Sequence, residues 1–290
     1  MLQMVKRLLP AIAAVAVCSC NQFQIKGLLV PTGEVVEKRF EQSAEMNKDL
    51  KAATVNAESE YMFYVATDPH TNETSINLSR FNDILRNDEN TAFAVILGDC
   101  IEVKDNFPKY LEALSYSPDR HALNPDIFHI LGNHDAYFNG WQGFMEQIGP
   151  SVYWFEVMYP GGKDLFISLD TATGTLGRSQ NKWFRKFLEE KRKEYRHCII
   201  LTHTNFFYTD NSQTGSGNMP IEESFSLIDF LGKQNVSLVL QGHDHYWEDL
   251  TYHNVRYCVL GTIRDESDSP EYLKVNVTQE NIHLDRMQLQ

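Results

Sequence analysis

The 290-residue chain predicts an α/β fold in which stacked sheets are flanked by helices. Three observations predict it. Six apolar runs of strand length, rich in β-branched and aromatic residues, recur from residue 60 onward. Between them lie segments whose apolar residues are spaced by three and four, as in helices with one stripe on a core. A hydrophobic content of 42% is enough for a sizeable core at this length.

The strand candidates, in order, are YMFYVAT (61–67), FAVIL (93–97), DIFHIL (126–131), LFISLD (165–170), HCIILT (197–202) and VSLVLQ (236–241). The helix candidates are INLSRFNDILRN, NKWFRKFLEEKRKEY and IEESFSLIDFLGK. In the second, Trp183, Phe184, Phe187 and Leu188 form a core-facing stripe, which needs no cofactor to explain it. RYCVLGT reads as a closing strand, and EYLKVNV and NIHLDRM, joined by TQE, as a hairpin. Residues 21–59 are mostly polar and read as a tether followed by a short helix with Val36, Phe40, Ala44 and Asn47 on one side. The expected organisation is a leader over 1–19, a tether and extension over 20–59, and one main domain over 60–290.

At the start, Lys6 and Arg7 precede an apolar stretch from Leu8 to Val17, the layout of a secretory leader and too short for a membrane span. Val17-Cys18-Ser19-Cys20 resembles the lipobox of bacterial lipoproteins, with Cys20 as the lipid-modified residue. An exported envelope protein, held to the membrane through Cys20, is the expectation. Cys100, Cys198 and Cys258 lie in or beside apolar runs at irregular spacing, which is no disulfide framework and implies buried thiols. The formal charge of -13, with no basic stripe, argues against nucleic acid and anionic membrane surfaces as partners.

Ligands in layered α/β proteins gather at the carboxyl ends of strands. After the first run stand Asp68 and His70, after the second Gly98 and Asp99, and after the third Gly132, Asn133, His134 and Asp135. The fifth is followed by His203 and the sixth by Gly242, His243 and His245. Each has an ordinary explanation alone, as a turn former, a helix cap or a structural histidine. Five of six strand ends carrying such residues, in a chain with ten histidines, points to one site. His121, His129, His197, His253 and His283 lack this placement and read as structural.

Oxygen and imidazole donors without thiolate suit iron, manganese, zinc or cobalt. There are more donors than one ion needs, so two cations about 3.5 to 4 Å apart sharing a carboxylate are the economical arrangement. Such a pair holds phosphate oxygens and lowers the pKa of a bound water.

The order Asp68/His70, Gly98/Asp99, Gly132 to Asp135, His203 and His243/His245 resembles that of the calcineurin-like metallophosphoesterases over about residues 60–262. The resemblance implies a four-layer α/β/β/α sandwich of two mixed sheets with a dinuclear centre at the strand ends. It implies one metal on Asp68, His70 and His245, the other on Asn133, His203 and His243, and Asp99 bridging them. His134 would stay off the metals as general acid, with Asp135 orienting its ring. Purple acid phosphatases carry a metal-binding tyrosine three residues after the bridging aspartate; here that residue is Glu102, which disfavours that subfamily. Cys100, beside Asp99, is expected to point away into packing.

The loop TNFFYTDNSQTGSGNMP after His203 reads equally as a substrate-facing lid or a mobile connection. Tyr137, Phe138 and Trp141, after Asp135, either stack on a substrate or pack beneath the loop. The resulting expectation is a hydrolase of small phosphate esters in which metal-bound hydroxide attacks phosphorus and His134 protonates the leaving oxygen. The alternatives are a cyclic-nucleotide or other phosphodiesterase and, outside enzymes, a metal-binding envelope scaffold with the same fold. The sequence identifies no substrate-binding residues.

Overall fold

The computed structural model describes residues 34–114, 126–207 and 219–290. The leader, Cys20, His121 and the middle of the loop after His203 lie outside the described residues.

The strands are β1 (Lys51–Asn56), β2 (Tyr61–Ala66), β3 (Thr91–Ile96), β4 (Asp126–His129), β5 (Tyr153–Tyr159) and β6 (Gly162–Ser168), followed by β7 (Cys198–Leu201), β8 (Leu238–Gln241), β9 (Glu248–Tyr252), β10 (Val255–Val259), β11 (Glu271–Val277) and β12 (Ile282–Gln288). The helices are α1 (Val36–Met46), α2 (Ile76–Asn87), α3 (Phe107–Ala113), α4 (Asn133–Ala136), α5 (Gly140–Gln147), α6 (Gly177–Lys191) and α7 (Ile221–Lys233). One sheet has seven strands in the order β1-β5-β6-β7-β8-β10-β9, and the other has five in the order β12-β11-β2-β3-β4. Both are mixed: β2, β3 and β4 run parallel with β11 antiparallel to β2, while β6, β7, β8 and β10 run parallel with β5 and β9 antiparallel at either side.

Period-two alternation explains the layers. Phe63 and Val65 of β2 and Phe93 and Val95 of β3 point inward to meet Phe155, Phe166, Ile199 and Leu240 of the other sheet. Phe63 meets Phe166 edge-on with centroids 5.4 Å apart, and Phe128 stacks on Phe155 at 3.8 Å. Met62, Tyr64 and Ala66 point the other way, into a second core with Leu78 and Phe81 of α2 and Tyr110 of α3. Leu165, Ile167 and Ile200 do the same beneath Phe184 of α6 and Leu231 of α7. Central strands buried on both faces read as continuous apolar runs, which is why the sequence exposed them. The architecture is therefore helix, sheet, sheet, helix, as expected.

The sheets also recruit residues upstream of position 60. β1 pairs in parallel with β5 as an edge strand, and α1 packs through a different face from the one its apolar residues suggest. Val36, Arg39 and Ser43 are buried while Ala44 is exposed. The cause is Arg39, whose guanidinium donates to Asp170 Oδ2 at 2.7 Å and Oδ1 at 2.8 Å, with both side chains inaccessible to solvent. Removing one member of such a buried pair costs about 3–5 kcal/mol. Phe40 instead meets Trp183 of α6.

Candidate metal centre

Five strand ends from both sheets converge on one small volume. β2 leads to Asp68 and His70, β3 to Asp99, β4 to Asn133, β7 to His203, and β8 to His243 and His245. The sixth end, that of β6, is closed by the Arg39–Asp170 pair. Among the described residues, the ligand atoms of Asp68, His70 and His245, those of Asp99, His203 and His243, and those of His70, Asp99 and His134 form groups lying within 4.8 Å.

The backbone at these ends is unusual. Asp68 (φ 52°), His70 (43°), Asp99 (48°), His243 (72°) and His245 (58°) are left-handed. Non-glycine residues enter that region at a cost of order 1–3 kcal/mol each, and persist where surrounding structure over-determines them. Here tight turns aim consecutive side chains at one point. The glycines of the motifs make room: at Gly98 (φ 94°) a Cβ would stand 2.7 Å from His203 Nδ1, and at Gly132 it would overlap the backbone nitrogen and Oδ1 of Asp99.

The inner contacts fall into two sets. His245 Nε2 lies 3.1 Å from Asp68 Oδ1 and 3.2 Å from His70 Nε2, and His70 Nε2 lies 3.6 Å from Asp68 Oδ1. His203 Nε2 lies 3.1 Å from Asn133 Oδ1 and 3.2 Å from His243 Nδ1. Asp99 Oδ2 sits between the sets, 3.6 Å from His70 Nε2 and 3.4 Å from His203 Nε2.

The outer atoms of the same residues fix which inner atoms carry lone pairs. His203 Nδ1 is 2.7 Å from the Leu97 carbonyl, which only accepts, so this nitrogen holds the proton and Nε2 of the neutral ring is bare. His70 Nδ1 donates to Glu102 Oε2 at 2.9 Å, which likewise bares Nε2. Asp68 Oδ2 accepts from Thr67 Oγ1 at 2.6 Å and from the His243 amide at 2.9 Å, leaving Oδ1 inward. Asp99 Oδ1 accepts from the His134 amide at 2.8 Å, leaving Oδ2 inward. With these rings neutral, the bare nitrogens of His70 and His203 face the inward carboxylate oxygens of Asp68 and Asp99. Donors about 2.0–2.2 Å from a common ion stand about 3.0–3.5 Å apart at angles of 90 to 110°, so the residues fit metal ions.

The electrostatics agree. Burial would lower the basicity of His70, yet Asp68 and Glu102 push its imidazole up to about 10. Burial opposes protonation of His203 too, and Asp99 and Asp68 raise it to about 9. Burial also favours the neutral acid at Asp68, but the His203 charge and the His245 and His70 hydrogen bonds hold it well below the usual carboxylate range. His243 goes the other way, to about 4, through burial and then the nearby His203 charge. The loops therefore gather negative charge that demands positive charge inside, which bound cations would supply in place of protons.

His134 flanks the cluster, a third exposed, with its ring edge-on to His70 at 4.7 Å. Its Nδ1 faces the Glu102 carbonyl at 3.1 Å. Asp135 does not orient this ring. Its carboxylate is buried and accepts from the amides of Ile101 at 3.2 Å and Gly132 at 3.0 Å. Burial, followed by the charge of Asp99, raises it to about 6. Adjacent residues on a helical turn point about 100° apart, and α4 begins at Asn133. Asp135 thus ties the Asp99 and Asn133 loops together, while Glu102, unassigned from sequence, holds both His70 and His134. Trp141 is packed, its indole N–H donating to Gln42 Oε1 at 2.8 Å, and Tyr137 is half-buried. Cys100, Cys198 and Cys258 are buried free thiols.

A family model described as Calcineurin-like phosphoesterase matches residues 61–247. No curated relative matches the sequence. Among solved structures the chain is similar to a dimetal phosphatase from Danio rerio, with a TM-score of 0.59 and 13% identity over 79% of this chain and 98% of that one. It is also similar to GAP50, the anchor in the inner membrane complex of Plasmodium (TM-score 0.58, 14% identity, 80% of this chain and 86% of that one). A purple acid phosphatase from yellow lupin, PPD1, superposes with a TM-score of 0.57 at 15% identity, over 80% of this chain and 52% of its own. At such identities these likenesses speak to the fold, while the match to residues 61–247 spans the strands and loops that carry the converging donors. With that span and that convergence, the chain belongs to the calcineurin-like phosphoesterase family.

Proposed function

We propose that the protein hydrolyses small phosphate esters at a dinuclear centre held by Asp68, His70 and His245 on one side and Asn133, His203 and His243 on the other, with Asp99 between. The observation that carries this reading is the convergence of nitrogen and oxygen atoms, 3.1–3.6 Å apart, around His70 Nε2 and His203 Nε2. Two cations bound there supply positive charge for phosphate oxygens and lower the pKa of a water to near neutrality.

The remaining work falls to the chain. Hydrogen bonding of His134 Nδ1 to a carbonyl keeps a proton on that nitrogen, so a cationic ring delivers its other proton from Nε2 to the leaving oxygen and ends in the tautomer the carbonyl favours. Glu102 fixes the His70 ring and, through its carbonyl, the His134 ring.

The test is turnover of p-nitrophenyl phosphate and bis-p-nitrophenyl phosphate by manganese-, zinc- or iron-loaded protein. Hydrolysis that disappears with chelator and in Asp99→Ala supports the reading, and the ratio of the two rates selects monoester or diester. Metal retained with neither ester cleaved overturns it in favour of a metal-binding scaffold.

We further propose export and anchoring by lipid on Cys20, on the leader and Val17-Cys18-Ser19-Cys20 alone. No helix among the described residues is long and apolar enough to cross a membrane. Radiolabelled palmitate incorporated in a bacterial host, and lost in Cys20→Ala, is the expected outcome; equal labelling of both overturns it.

A further inference from the structure

A cavity of about 530 Å³ opens beside the metal centre, with His245 in its wall. Its size is that of a small-molecule site. Tyr246 and Trp247 continue from His245 along one side, and the segment between β10 and β11 forms the other. The floor is tied to the donors, since Thr262 Oγ1 donates to the Asp68 carbonyl at 2.6 Å. An ester whose phosphate sat on the cations therefore has room for its alcohol part here.

The charges of this wall decide what the alcohol is. Arg264 and Arg286 both line it, and both are already paired: Arg264 Nε with Glu266 Oε2 at 3.1 Å, and Arg286 Nε with Glu271 Oε2 at 2.5 Å. Glu271 is buried and also accepts from the Gly261 amide at 3.1 Å, and it holds Arg286 through Nε with the guanidinium over the Trp247 ring at 5.2 Å. Asp268 is left over, which makes the lining formally negative, two cations against three carboxylates. A second phosphate or carboxylate would face Asp268 in a lining that is already formally negative, with each guanidinium holding one carboxylate through Nε. Hydroxyl groups fare differently. They would donate to the carboxylates and exchange hydrogen bonds with Ser267 and Ser269, while the C–H face of a ring or polyol would lie beside Tyr246.

We infer that the cavity bounded by His245, Trp247, Arg264 and Asp268 is the leaving-group pocket, and that it takes an uncharged polyhydroxylated alcohol, so that the substrates are monoesters of sugars or polyols. This rests on the phosphoesterase reading and deepens it. The reaction that consumes such an ester releases inorganic phosphate and the free sugar or polyol, with water supplying the oxygen.

The experiment compares kcat/KM for glucose 6-phosphate and fructose 1,6-bisphosphate in the metal-loaded wild type and in Asp268→Lys, with p-nitrophenyl phosphate as the reference that cancels changes at the metals. The expected wild-type preference for glucose 6-phosphate is about tenfold or more, and Asp268→Lys reduces it by about tenfold. Asp268 is exposed, so the variant folds. Equal use of the two esters by the wild type, or a preference that survives Asp268→Lys, overturns the proposal. If none of the three esters is cleaved, the hydrolase reading fails separately, and calorimetry with uncleaved glucose 6-phosphate judges the pocket. A Kd that rises about tenfold in Asp268→Lys then supports it, and an unchanged Kd or no binding to the wild type overturns it.

Discussion

The Glu102 carbonyl oxygen lies 3.1 Å from Nδ1 of His134, and this contact, not one from Asp135, sets the orientation of the ring beside the metal centre. A carbonyl accepts without competing for the proton, so it holds the Nδ1–H tautomer in both charge states of the ring. In the proposed reaction the proton delivered is the one on Nε2.

That assignment makes the His134 effect depend on the leaving group. An alkoxide needs a proton as it departs and nitrophenolate does not. His134→Ala is expected to slow an alkyl phosphate by about 10²–10⁴-fold and p-nitrophenyl phosphate far less. Metal content is expected to be unchanged, because His134 is not among the seven proposed ligands. Equal losses on both esters would remove the ring from proton delivery.

Gly132 bears on Asp99, the proposed bridge between the cations. A methyl group there would overlap the Asp99 backbone nitrogen and Oδ1, and backbone cannot swing aside as a flexible side chain does. Gly132→Ala is expected to weaken metal binding by about 10–100-fold, the size of effect seen when supporting groups around a metal site are disturbed. Titration of chelator-treated protein followed by calorimetry reads this directly, and wild-type affinity in the variant would show that Asp99 does not bridge.

His129 gives a pH dependence remote from the donors. Burial lowers its imidazole to about 4, and its Nε2 is buried without a partner. The unfolded chain protonates this ring near 6.5, so between about pH 6.5 and 4 the unfolded state takes up a proton that the folded state refuses. Stability is therefore lost as pH falls through that window, by about 3 kcal/mol at most, and is unaffected above it. His129→Phe, measured by denaturant unfolding of chelator-treated protein, is expected to flatten the curve between pH 6.5 and 4; parallel curves for the two proteins would contradict this.

How much the sequence discloses follows from where its signals come from. Strands buried on both faces have no polar side, so β2, β3, β7 and β8 stand out as apolar runs, and the donors stand out because they follow those runs. β1 escapes notice, since an edge strand reading KAATVN is mostly exposed. β5 is passed over although Tyr153, Phe155 and Val157 alternate inward and Pro160-Gly161 closes a tight turn to β6, a usable signal. The face of α1 is misread because it buries Arg39, whose partner Asp170 lies 131 positions away. Asp135 and Glu102 exchange their expected importance for a similar reason. Adjacency in sequence suggests the wrong partner for His134, while Glu102 is brought to it by the parallel pairing of β3 with β4, which sets the Asp99 and Asn133 loops side by side.

Enclosure of two cations by Asp68, His70, Asp99, Asn133, His203, His243 and His245 is the central element of the proposed function. Its most direct test is the number of manganese or zinc ions bound per chain when metal-free protein is titrated, read by calorimetry and by elemental analysis after desalting. The expected result is two per chain, falling to one or none in Asp99→Ala. A wild type that binds no ion, or an Asp99→Ala variant that still binds two, would contradict it.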